Sequence, residues 1–135
     1  FFKQKTAYEI RLSLVGSEMC IRDRSGSYQP DYVIKKSHTA MQKSVFGIYG
    51  HSGDHLPDPS DAIIYSLGDG VIKVNSEGGN IEVGDYICSS NTPGVGMKQN
   101  DDILRNYTVA KSSQNVDWSA ESSTTKLIAC TYHCG

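Results

Sequence analysis

Glu82 and Asp85 are the residues with which this chain could do acid–base work: two carboxylates three positions apart, flanking Gly84 at a turn. A close carboxylate pair separates into one proton donor and one acceptor. The competing reading is a solvated turn in which Asp85 accepts backbone N–H groups. A second constellation is His51, Asp54, His55 and Asp58. In a threefold assembly, one His51 or His55 from each chain on the axis would make a metal site that no single chain contains. Pro57 and Pro59 bracket the cluster, and that favours an exposed polar loop. Cys130, His133 and Cys134, with Cys88, have zinc-ligand chemistry, but on a strand Cys130, Tyr132 and Cys134 face one way and His133 the other. Small buried thiols account for them more simply. Gly50-His51-Ser52-Gly53-Asp54 fails as a nucleophile elbow, because the second glycine comes one residue early. Trp118, alone in a serine-rich loop, and seven tyrosines from Tyr28 to Tyr132 supply amphipathic rings suited to subunit interfaces or to a sugar surface.

The elements that must position these residues are short. Tyr32-Val33-Ile34, Ser44 to Tyr49, Ala62 to Leu67, Val71 to Val74, Tyr86 to Cys88, Val95 to Lys98, Tyr107 to Lys111 and Lys126 to Tyr132 are apolar or alternating runs. Each ends at turn-forming residues, among them Gly50, Gly68-Asp69-Gly70, Gly78-Gly79, Gly84-Asp85 and Thr92-Pro93-Gly94. Brief runs rich in Val, Ile, Tyr and Thr predict an all-β fold, a compact sandwich or barrel of antiparallel strands. At most one helical turn is expected, at Asp101–Arg105, with Asn100 as its cap. The stretch from Ser112 to Thr125 reads as a loop around Trp118.

Residues 1–24 have a different character. The run from Lys3 to Ile10 resembles a translation of AAG CAG AAG ACG GCA TAC GAG AT, one end of a short-read sequencing adapter. The run from Leu14 to Asp23 resembles CTC GTG GGC TCG GAG ATG TGT ATA AGA GAC, its transposase end, in the same frame. Ile10 to Ser13 span the gap that a sample index fills. Such a segment is excluded from fold reasoning. The expected organisation is therefore an artefact over 1–24, a truncated entry segment over 25–44, and a β domain over 45–135 of a longer gene product.

From Ser25 onward there are 8 basic and 12 acidic residues, a net charge of −4 against −2 for the whole chain. That balance argues against a nucleic-acid footprint. No apolar stretch approaches the roughly 18–20 residues that span a bilayer, so no membrane partner is expected. Three cysteines in this part do not make a disulfide scaffold. No cofactor is expected.

Five motifs, taken together, carry a resemblance: Val45-Phe46-Gly47-Ile48, Ser66-Leu67-Gly68-Asp69-Gly70, Gly79 to Ile87, Thr92 to Lys98, and Tyr107 to Lys111. In order and spacing they resemble the β-rich C-terminal domains of bacteriophage tail fibres, tailspikes and neck appendages, over most of 45–135. The resemblance implies a virion module at the distal end of a homotrimeric fibre, contacting other tail proteins and acting in trimerisation or maturation. Neighbouring families are intramolecular chaperones that cleave themselves. The serine type is not expected, since its Ser-Asp opening with nearby Arg and Lys is missing. The acid type, called peptidase G2, would fall on Glu82 and Asp85. A third implied role is a tip that binds a host receptor or glycan through Trp118.

Overall fold

The computed structural model describes residues 13–22, 28–52 and 62–134, with side chains from residue 36 onward except at 46, 50–52, 62 and 63. The fold is all-β. Its nine strands among these residues are β1 (Ser13–Arg22), β2 (Tyr28–Lys36), β3 (Val45–Ser52), β4 (Ala62–Tyr65), β5 (Leu67–Asn75), β6 (Tyr86–Ser89), β7 (Gly96–Lys98), β8 (Thr108–Ser112) and β9 (Thr125–His133). They make a four-stranded sheet, β2-β1-β3-β4, and a closed barrel, β5-β7-β6-β8-β9. Pairings are antiparallel apart from β5 with β7, which run parallel and meet at Val74 and Gly96. Among the described residues no helix is long and apolar enough to cross a membrane.

The barrel's spine is the β5–β9 ladder, in register over nine consecutive pairs from Leu67–His133 to Asn75–Thr125. Along β9 the alternation expected of a half-buried strand is clear: Ile128, Cys130 and Tyr132 point into the core, while Ala129 is exposed. They pack with Ile72, Val74, Ile81, Ile87, Val109, Ala110 and Val116, and with Val45 and Ile48 from β3. One core therefore joins the barrel to β3 of the other sheet. Closure also removes the sheet edges that would otherwise invite pairing with other chains.

Two elements differ from expectation. Gly68-Asp69-Gly70 is not a turn; β5 runs straight through it, and the break from β4 falls at Ser66. The glycine at 70 makes room, since a Cβ there would run into the Tyr132 ring. The Tyr132 hydroxyl donates to Val71 O (2.6 Å) and accepts from Val71 N (3.0 Å), and its ring stacks on Tyr65 with centroids 6.0 Å apart. Asp101–Arg105 is not helical either. Asp101 Oδ1 accepts from Gln99 Nε2 (2.7 Å) and Ile103 N (3.3 Å), and its Oδ2 is gripped by the Arg105 guanidinium at 2.9 and 3.1 Å. Tied in this way, the backbone curls around the carboxylate. Among the described residues the short helical turns that form are 3-10 turns at Ser76–Gly78 and Trp118–Ala120, capped by Asn75 and Asp117.

β7 and β8 both lie antiparallel to β6, one on each side, so residues 99–107 cross over β6. A strap at residues 37–42 is tied to the end of β6 and to the β6–β7 turn: Met41 N donates to Ser89 O, Gln42 N to Ser89 Oγ, Ala40 N to Asn91 Oδ1, and Ser37 O accepts from Gly94 N. Ile87 faces the barrel core, and Cys88, next along β6, is fully buried outside that cluster. Alternation places it on the outer face of the barrel wall, toward the strap.

β1 lies inside its sheet, paired with β2 on one side and β3 on the other. Its ladders are irregular, with register shifts between Gly16 and Glu18, between Cys20 and Arg22, and between Leu14 and Val15. The barrel, from Leu67 to His133, closes without any residue of 1–24.

Candidate functional site

Glu82 and Asp85 occupy a tight turn. Asp85 N donates to Glu82 O (3.0 Å), Asp85 Oδ2 accepts from Glu82 N (2.8 Å), and Lys98 Nζ stands 3.6 Å from the same oxygen. Gly84, with φ +97°, supplies the left-handed residue that the turn requires. The Asp85 carboxylate thus holds the turn closed. Its backbone adds to this: Asp85 O accepts from Ser112 N and Gly84 N donates to Ser112 O, fastening the turn to β8.

Glu82 points elsewhere. The run 80–83 lies against 115–117 through an isolated bridge, in which Ile81 and Val116 exchange both backbone hydrogen bonds (2.9 and 2.7 Å). Over the paired runs lies an open, shallow groove of about 450 Å3, lined by Asn80, Ile81, Glu82, Val83, Asn115, Val116 and Asp117. Ile81 and Val116 are buried in the barrel core and Val83 stands 60 % exposed, so Val83 is the aliphatic side chain that this surface presents. Asn115 Oδ1 accepts from Val83 N at 2.8 Å, and this bond orients the amide. Asp117 Oδ1 accepts from Ser119 N, Ser119 Oγ and Asn80 Nδ2. Ser119 chiefly, then Asn80, holds the Asp117 carboxyl below the usual carboxylate value. Among the described residues the Glu82 carboxylate, Asp117 Oδ2 and Asn115 Nδ2 have no protein partner.

Trp118 is the neighbour that keeps this groove in shape. Its indole N–H donates to Gly79 O (3.0 Å), its backbone N donates to Asn80 Oδ1 (3.0 Å), and its ring packs on the core. Trp118 therefore anchors its loop. The structure brings Glu82 and the Trp118 loop together, 36 residues apart in sequence; Asn115 and Asp117, which complete the groove, carry no local motif.

The remaining candidates separate. His51 lies on β3 opposite Ile63, while Asp54, His55 and Asp58 are outside the described residues. Cys88, Cys130 and Cys134 are free thiols. Burial pushes Cys88 up to about 11 and Cys134 up to about 12, so both stay protonated at neutral pH. Cys134 Sγ donates to Val109 O (3.4 Å), while His133 turns away to meet the Tyr86 ring edge-on at 6.2 Å. Among the described residues no group of three or more His, Cys, Asp or Glu is gathered to hold a metal ion. A second, smaller hollow lined by Asn75, Ser76, Glu77, Thr92, Thr124 and Thr125 is knitted internally: Asn75 Nδ2 donates to Ser90 Oγ, Thr92 Oγ1 and Glu77 Oε1, and Glu77 accepts from Asn91. Compared with known proteins, the chain matches no family model, no curated protein and no solved structure.

Proposed function

We propose that this chain is a structural module from the C-terminal end of a phage tail fibre or related virion appendage, working in trimerisation or maturation rather than in catalysis. The observation that carries this reading is where the five resembling motifs fall. Val45–Ile48 lies on β3, Ser66–Gly70 opens β5, Gly79–Ile87 leads into β6, Thr92–Lys98 forms the β6–β7 hairpin, and Tyr107–Lys111 enters β8. Three of the five contribute residues to one shared core, and in the other two Gly70 abuts Tyr132 and Gly96 abuts Ile87 and Ile72 of that core.

Supporting it, Leu67, Val83, Ile103 and Leu104 are 55–66 % exposed on a chain with a thin core. Each such side chain gains roughly 1.5–3 kcal/mol when fully buried, so a threefold interface that covers even two of them would add usefully to stability. Ile103 and Leu104 project from the loop fixed by Asp101 and Gln99, and a pre-ordered apolar tip loses little entropy on docking. The self-cleaving alternative has less behind it, because Asp85 is committed to its turn and to Lys98. Sedimentation equilibrium on the full chain at micromolar concentration should give three times the monomer mass. A monomer throughout that range overturns the proposal.

A further inference from the structure

We propose that the strap at residues 37–42 is a gate that opens locally over the Cys88 thiol while the barrel stays folded. Cys88 is fully buried on the outer side of β6, and the Met41 backbone N–H lies close enough to its sulfur to favour the thiolate. Ser37 is buried, but from His38 to Ser44 every side chain is at least partly exposed, so no buried apolar side chain pins this run to the barrel wall. Its attachments to β6 and the following turn are polar: Met41 N to Ser89 O, Gln42 N to Ser89 Oγ, Ser89 Oγ to Thr39 O, and Ala40 N to Asn91 Oδ1. A segment with few buried apolar contacts and exposed hydrogen bonds opens at a fraction of the global unfolding free energy.

Gln42 is the latch. Its Oε1 accepts from His38 N (2.8 Å) and Thr39 N (3.3 Å), and its Nε2 donates to Ser44 Oγ (3.2 Å), so one side chain spans the strap from end to end. Met41 is held at φ +52°, in the left-handed region that a methionine disfavours, and opening relieves that strain. The chemistry of Cys88 changes with the gate. Burial raises its thiol to about 11, and contact with water returns it toward ordinary acidity, so a sulfur that is inert under the closed strap becomes a nucleophile under the open one. Cys130, 2 % exposed inside the barrel core, becomes reachable when the barrel itself unfolds. The gate lies within one chain, so its failure and a failure to trimerise are separate results.

The test is alkylation of the full chain by iodoacetamide at mildly alkaline pH in rising urea, read thiol by thiol through peptide mass spectrometry. Each event joins sulfur to the acetamide carbon and releases iodide. Cys88 should react at least tenfold faster than Cys130 and with a shallower urea dependence, because opening a strap exposes less surface than unfolding a barrel. Gln42→Ala alters a partly exposed side chain and should leave the melting temperature unchanged. It should speed Cys88 about tenfold, the scale of one lost hydrogen bond, without speeding Cys130. The proposal is overturned if Cys88 and Cys130 react at one rate with one urea dependence, if Gln42→Ala leaves the Cys88 rate as it was, or if that variant speeds both thiols alike.

Discussion

Tyr132 concentrates more of the fold's specification than any catalytic candidate does. It is 2 % exposed, its hydroxyl serves both backbone groups of Val71, and its ring fills the space that Gly70 leaves. Removing the hydroxyl strands Val71 N–H and C=O, which lie in the middle of β5. Tyr132→Phe should therefore destabilise the chain by roughly 1–3 kcal/mol in denaturant unfolding, the cost of leaving a buried polar group unmet. A loss below about half a kcal/mol would mean that water serves Val71 instead. The same pair shows why part of the sequence was opaque. Gly68-Asp69-Gly70 has the composition of a turn, and composition alone cannot separate a glycine that bends the chain from one that clears space for a ring 62 positions away.

At the scale of elements, most strands were legible because each short apolar run ends in residues that favour turns. Where local rules failed, a side chain had captured the backbone. Asp101 and Asp102 look like the acidic first turn of a helix, but Gln99, 1 % exposed, presents its amide to Asp101 and Ile103 O and accepts from Thr108 Oγ1. Gln99 foremost, then Arg105, holds the Asp101 carboxyl below its ordinary value of 3.8. A lowered carboxyl contributes stability that is complete above the ordinary value and disappears as pH falls through the lowered one. Asp101→Asn should accordingly reduce the melting temperature at neutral pH, with the difference from the parent chain shrinking as pH drops below about 4. A difference that stays constant down to the acid limit would show that the loop depends on the shape of residue 101 and not on its charge. The groove was illegible for a related reason: Glu82 was visible beside its turn, but the bridge from Ile81 to Val116 that brings Asn115 and Asp117 to it spans 35 residues.

For the whole molecule the ladders contrast in how regular they are. The β5–β9 ladder runs nine pairs without a slip and its inward residues make the core. The ladders that β1 makes with β2 and β3 shift register three times, and β3–β4 and the barrel's β6–β8 ladder each shift once. Register is specified strongly where an alternating face is buried, as along β5 and β9. A segment translated from adapter DNA is expected to be extended, loosely helical or weakly docked, having never been selected to pack with the domain, whereas Ser13–Arg22 takes an interior position between β2 and β3. The consequence can be measured on a chain shortened to Ser25–Gly135. The barrel needs no residue of 1–24 to close, so the shortened chain should unfold cooperatively, with a stability within about 1 kcal/mol of the parent. Hydrogen exchange should leave protection in β5, β8 and β9 unchanged while β2 and the β1-facing edge of β3 lose theirs. A loss of several kcal/mol, or barrel amides exchanging at once, would mean that Ser13–Arg22 is an evolved strand of the domain, and the adapter reading would have to be abandoned.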